Sequence, residues 1–137
     1  MKIIICASTS FIPEVIDIKK KLGELGHIVE IPFGFEEDFK NKRKTLTQEE
    51  SAEDKIKFDL IRDYFGKINE HDAILVVNPE KNGIKGYIGG NAFLEMGFAH
   101  VLNKKLFVLY GLPKMDYSAE IKAMQPTVLN GKLEEIK

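Results

Sequence analysis

At 137 residues the chain is long enough to bury a core without disulfides or a structural metal. Its 44% hydrophobic and 30% charged content is that of an ordinary globular protein, and a formal net charge of -1 gives no global pull toward nucleic acid or a membrane surface. The single cysteine, Cys6, excludes an intrachain disulfide and makes a reducing, cytoplasmic location the expectation.

The N-terminal stretch "MKIIICAS" offers one basic residue and an apolar run too short for a signal-peptide core. No apolar run approaches the roughly 18 residues that a membrane helix needs. "KIIICAS" (2–8) instead has the form of a buried parallel strand. Ile12, Val15, Ile16, Ile18, Leu22 and Leu25 then recur near helical spacing, with Pro13 in the first turn and Gly26 just past the end. "HIVEIP" (27–32) predicts a second strand, and strand–helix–strand over this length is a right-handed βαβ unit.

Residues 36–55 are dense in charge and poor in large apolar side chains. They form a solvated loop running into a helix, or a lid that offers Lys42, Arg43 and Lys44 to a phosphate. Thr47 and Glu50 make a capping-box pattern, which starts a helix at Gln48. One face of that helix runs through Ile56, Leu60, Ile61, Tyr64, Phe65 and Ile68. "AILVVN" (73–78) and "KLFVLY" (105–110) predict the third and fourth strands, "SAEIKAM" (118–124) a short helix, and "PTVLN" (126–130) a last strand. The alternation predicts one α/β domain over 1–137: a three-layer α/β/α sandwich with a flavodoxin-like, parallel five-stranded sheet in the order 2-1-3-4-5.

That order places a ligand crevice at the carboxyl ends of strands one and three. Two segments emerge there. Ser8, Thr9 and Ser10 supply hydroxyls and backbone N–H groups ahead of a helix, where an anion is welcome, though they serve equally as caps. The second segment, "NPEKNGIKGYIGGN", holds Gly83, Gly86, Gly89 and Gly90, which let a ligand approach the backbone. It is neither a Walker loop nor a dinucleotide fingerprint. The helix that follows, "AFLEMGFAHVL", is apolar nearly all round and so predicted buried. With Asn91 as its N-cap, Glu95 falls at the end of the first turn. There the dipole and N–H donors can keep a carboxylate ionised, fit to attack an anomeric carbon or stabilise an oxocarbenium ion. The alternative is a glutamate that only complements the helix dipole. His27, His71 and His100 lie apart from any partner at metal spacing, so neither metal nor cofactor is expected.

Phe93-Leu94-Glu95-Met96-Gly97-Phe98-Ala99, followed by Lys104-Lys105 and "LFVLY", resembles the nucleoside 2-deoxyribosyltransferase superfamily, which includes the 2′-deoxynucleoside 5′-phosphate N-hydrolases. "IIICAS" and "HDAILVVN" resemble that family's first and third strands. The resemblance implies cleavage or transfer at the N-glycosidic bond of a (deoxy)nucleoside or its 5′-monophosphate, with Glu95 matching the family's nucleophile. It implies Asp63, beside the matching position Tyr64, as the second acid; Asp72 is the other carboxyl considered for the leaving base, or else only ends the preceding helix. It further implies contacts to sugar or phosphate from Ser8 and Thr9, and from Ser118 across a subunit boundary. Gly86, Gly89, Gly90 and Asn91 complete the expected substrate-binding set. Gly89 stands where the transferases carry an aspartate and the hydrolases a serine, Ile4 stands for a common tyrosine, and the loop from Asn78 to Gly90 is longer than theirs.

The expected partners are a small nucleoside or nucleotide and further copies of the chain, a homodimer or more, with no nucleic acid and no membrane. Two other readings stand beside the enzyme: a nucleotide sensor using the same loops without chemistry, and a ribonucleotide phosphoribohydrolase. "GGNAFLE" resembles the latter's "GGxGTxxE" motif without its threonine.

Overall fold

The computed structural model of the chain describes residues 1–42 and 47–137. Five strands, β1 (Lys2–Cys6), β2 (Ile28–Glu30), β3 (Ala73–Val76), β4 (Lys105–Val108) and β5 (Thr127–Val128), form an all-parallel sheet in the order β2-β1-β3-β4-β5. The predicted flavodoxin-like order is the observed one. Register runs from Ile3 opposite Ala73 to Cys6 opposite Val76, so β1 and β3 end together.

Side chains alternate across the sheet and build two cores. Ile3, Ile5, Leu75 and Phe107 face α1 (Ile12–Glu24), which brings Val15, Ile18 and Leu22, and α2 (Phe35–Lys40), which brings Phe35. Ile4, Cys6, Ile74 and Val108 face the other way. They meet Tyr64 and Ile68 of α4 (Leu60–Glu70), Met96 and Ala99 of α5 (Gly90–Val101), and Ile121 of α6 (Ser118–Ala123). This two-sided burial is why the strands read as continuous apolar runs, each buried aliphatic side chain contributing about 1.5–3 kcal/mol. Among the described residues no helix is long and apolar enough to cross a membrane.

The charged segment departs from expectation in two places. Its beginning is helical, as α2, because Phe35 docks in the first core. The helix that starts at Gln48 does so with both bonds of the capping box, Thr47 Oγ1 accepting from Glu50 N and Glu50 Oε1 from Thr47 N. That helix, α3 (Gln48–Lys57), then stops where a continuous one was expected. Asp59 turns left-handed, with φ of 48°, and α4 starts afresh at Leu60. The break lets Phe58 pack on Phe33, ring centroids 4.9 Å apart, while Ile56 stays exposed.

Candidate active site

A cavity of about 550 Å³ opens beside the carboxyl end of β1, at the expected switch point. One wall is the loop after β1, with Ser8 and Thr9; another is Phe33 and Phe35. α3, the turn after it and α4 contribute Asp54, Lys55, Phe58 and Tyr64, and α5 with its N-cap contributes Gly89, Gly90, Asn91 and Glu95. Lys81 and Tyr87 close the remaining side.

Glu95 is the only buried carboxylate among the described residues, at 4% exposure. Asn91, one helical turn earlier, donates through Nδ2 to Oε1 at 2.6 Å. Oε2 is buried and accepts from no group among the described residues. One satisfied oxygen does not offset the loss of water, so burial pushes the Glu95 carboxyl up to about 8, against the opposing pull of the Cys6 thiol, the Lys55 charge and Asn91. The expectation of a carboxylate kept ionised by the helix dipole is therefore corrected. The N-cap is Gly89, not Asn91, so Glu95 sits in the second turn, beyond the free N–H groups of the first. Asn91 spends its amide on Glu95 instead. Nor is α5 buried all round, since Leu94 and Val101 are exposed.

Two further ionisable groups lie beside Glu95, Cys6 in the core beneath the cavity and Tyr64 on its wall. The Cys6 thiol is raised by burial and then by the neighbouring Glu95 charge. The Tyr64 hydroxyl donates to the Ile5 carbonyl, and burial, followed by the charges of Cys6 and Glu95, raises it also. In all three the shift runs toward the neutral form, at the carboxyl end of β1.

The remaining expected residues divide. Ser8, Thr9, Gly89, Gly90 and Asn91 join Glu95 on the wall. Ser10 does not line the cavity; its backbone N–H donates to Ser8 Oγ at 3.2 Å. Gly86 does not line it either. Its φ is 70°, and a Cβ there would lie 2.1 Å from the Gly111 carbonyl oxygen, so this glycine exists for close packing. Buried Asn78 clasps the same place, donating to the Gly86 and Gly111 carbonyls at 3.2 Å each and accepting from Tyr110 N at 2.8 Å.

Asp63 points away from the cavity wall and pairs with Lys67 at 3.1 Å; its neighbour Tyr64 faces inward instead. Asp72 lies at the opposite, amino end of the sheet, where it accepts from Lys2 N at 2.8 Å, a bond that lowers its pKa. Ser118 Oγ accepts from Met115 N at 2.7 Å and donates to the Pro113 carbonyl at 2.8 Å, holding the turn before α6. Lys42 does not line the cavity, and Arg43 and Lys44 fall outside the described residues.

The cations that do line the cavity, Lys55, Lys57 and Lys81, were not singled out by sequence, nor were Tyr87 and the Phe33–Phe58 pair. Lys81 had a signal: it belongs to the switch-point loop. Gly89 also gains an explanation, for a Cβ there would meet the Tyr87 ring at 3.3 Å. A side chain at position 89 therefore requires the Tyr87 ring to shift by a few tenths of an ångström.

Among the described residues no group of three or more His, Cys, Asp or Glu is placed to hold a metal ion. No family model, curated protein or solved structure matches the chain.

Proposed function

We propose that the chain acts on the N-glycosidic bond of a (deoxy)nucleoside or its 5′-monophosphate, cleaving it with water or transferring the sugar to a second base. The observation that supports this best is Glu95: a carboxyl with one oxygen fixed by Asn91 and the other buried without a partner at the wall of a cavity of about 550 Å³. That volume suits a nucleotide-sized ligand. In its ionised form Glu95 Oε2 attacks C1′; the C1′–N bond breaks, and its electron pair leaves with the base, which takes up a proton. Water or another base then opens the glycosyl ester. Asp63 and Asp72 are outside the cavity, so the proton falls to one of the other carboxyls that line it, Glu37, Asp38 or Asp54.

The reading is tested by incubating the chain with deoxyribo- and ribonucleosides and their 5′-monophosphates and resolving free base by chromatography. Base exchange in the presence of a second free base separates transfer from hydrolysis. Release from ribonucleotides alone would favour the phosphoribohydrolase alternative. No release from any member, with Glu95→Gln unchanged, would end the enzymatic reading.

A second reading draws on the raised Glu95 pKa. A neutral carboxyl donates a hydrogen bond, which suits a sensor that holds an intact nucleotide without chemistry. Ligand-induced stabilisation without base release would identify it. Self-association also belongs to the proposal. Leu94 and Val101 lie exposed on one face of α5, with Gly97 between them open to a neighbouring chain. Sedimentation of the chain and of Leu94→Glu tests this.

A further inference from the structure

Lys81 is held in place more firmly than a surface lysine needs to be. It forms one end of a two-residue hairpin, exchanging backbone hydrogen bonds with Ile84 at 3.1 and 2.9 Å across Asn82 and Gly83. Both turn residues have positive φ, 52° and 74°, the geometry for which Asn-Gly is the favoured pair. The side chain is fixed as well. Nζ donates to Ser8 Oγ at 3.2 Å and lies 5.3 Å from the centre of the Tyr87 ring. It makes no ion pair with any described carboxylate.

The donor count leaves groups to spare. An ammonium has three N–H donors and Ser8 takes one. Ser8 Oγ accepts from both Lys81 Nζ and Ser10 N, which occupies its lone pairs and leaves its own O–H to donate elsewhere. A half-buried, aromatic-backed cation with spare donors, next to a hydroxyl that can only donate, is matched by an anion. Lys81, Ser8 and Tyr87 line the same cavity as Glu95.

We infer that Lys81, with the Ser8 hydroxyl, binds a phosphate monoester on the ligand that reaches Glu95, and so selects phosphorylated over unphosphorylated substrates. This rests on the proposed reading only for the identity of the ligand; the anion preference follows from the Lys81–Ser8 pair itself. Tyr87 shapes the subsite by backing the ammonium and by crowding position 89.

The test measures binding of a 2′-deoxynucleoside, its 5′-monophosphate and inorganic phosphate by calorimetry, with the unmodified chain, Lys81→Met and Lys81→Arg. Lys81→Met keeps the apolar stem over Tyr87, and an unchanged unfolding temperature without ligand shows that it is folded. The unmodified chain should bind the monophosphate at least about ten-fold more tightly than the nucleoside. Lys81→Met should close that gap to within roughly two-fold, and Lys81→Arg should keep most of it. An equal preference in the unmodified chain, or a preference that Lys81→Met leaves intact, overturns the inference. Failure of the glycosidase reading is separate: a Lys81-dependent phosphate preference without base release removes that reading and leaves the anion subsite standing. Base release at the same kcat/KM from nucleoside and monophosphate does the reverse.

Discussion

Asn91 Nδ2 lies 2.6 Å from Glu95 Oε1, the N–H donor that the buried carboxyl receives beside the Cys6 thiol. The pair, one turn apart on α5, orients the carboxyl, while burial raises its pKa against the smaller opposing pull of Asn91. Asn91 is exposed whereas Glu95 is not, so the donor is reachable by mutation without opening the core.

Removing that donor with Asn91→Ala leaves buried Glu95 Oε1 without it, so it should cost about 1–3 kcal/mol and push the Glu95 pKa further up, because the hydrogen bond now holds the pKa down. In rate terms the low-pH limb of the profile moves to higher pH, and the rate at pH 7 falls by about ten-fold, the scale of a lost hydrogen bond to a charged group. The shift in the profile, rather than the rate alone, distinguishes this from a change in packing.

Glycosidic cleavage through an ionised Glu95 should rise with pH. With its pKa near 8, the rate increases about ten-fold per unit below that value and levels off above it. Initial rates between pH 5.5 and 9, on a substrate stable over that range, check this. If Glu95 serves instead as a neutral donor in a sensor, ligand affinity is the quantity that changes, and it falls above pH 8.

Stability carries the same signature with the opposite sense. The folded pKa is raised from 4.5 to about 8, so the folded chain keeps a proton that the unfolded chain has lost. Stability from this group is complete below the unfolded value and is lost as pH climbs through the window to about 8, by on the order of a few kcal/mol. Glu95→Gln has no such proton. The stability difference between Glu95→Gln and the unmodified chain should therefore shift toward the variant from pH 5 to 8 and stay constant above, as read by urea unfolding.

The two glycines at either end of the expected cradle should respond oppositely to alanine. At Gly86, positive φ and the Gly111 carbonyl forbid a Cβ, and Gly86→Ala should cost about 2 kcal/mol or more. At Gly90 nothing lies within 4 Å of the added carbon, and Gly90→Ala should be neutral or stabilising by up to about 1 kcal/mol. Thermal unfolding of both variants decides it.

Much of this arrangement was legible in the residues. Parallel strands buried on both faces leave apolar runs, and the capping box at Thr47 and Glu50 marks the start of α3 to the residue. The crevice followed from strand order, and Glu95 stood out as an acid in an apolar helix. What escaped notice depended on contacts distant in sequence. Asp59 is an ordinary residue until Phe58 must reach Phe33, and only then does the helix break. Asp63 and Tyr64 are adjacent, but which one faces the cavity is fixed by the packing of α4 on the sheet. The protonation of Glu95 depends on depth and partner count, neither of which a local pattern encodes.

The central claim is that Glu95 reacts at C1′. The measurement that bears on it most directly is free base released from 2′-deoxynucleoside 5′-monophosphates near pH 8 by the unmodified chain and by folded Glu95→Gln, side by side. The account predicts release by the first and a loss of at least about a thousand-fold in the second. Equal rates in the two proteins would contradict it.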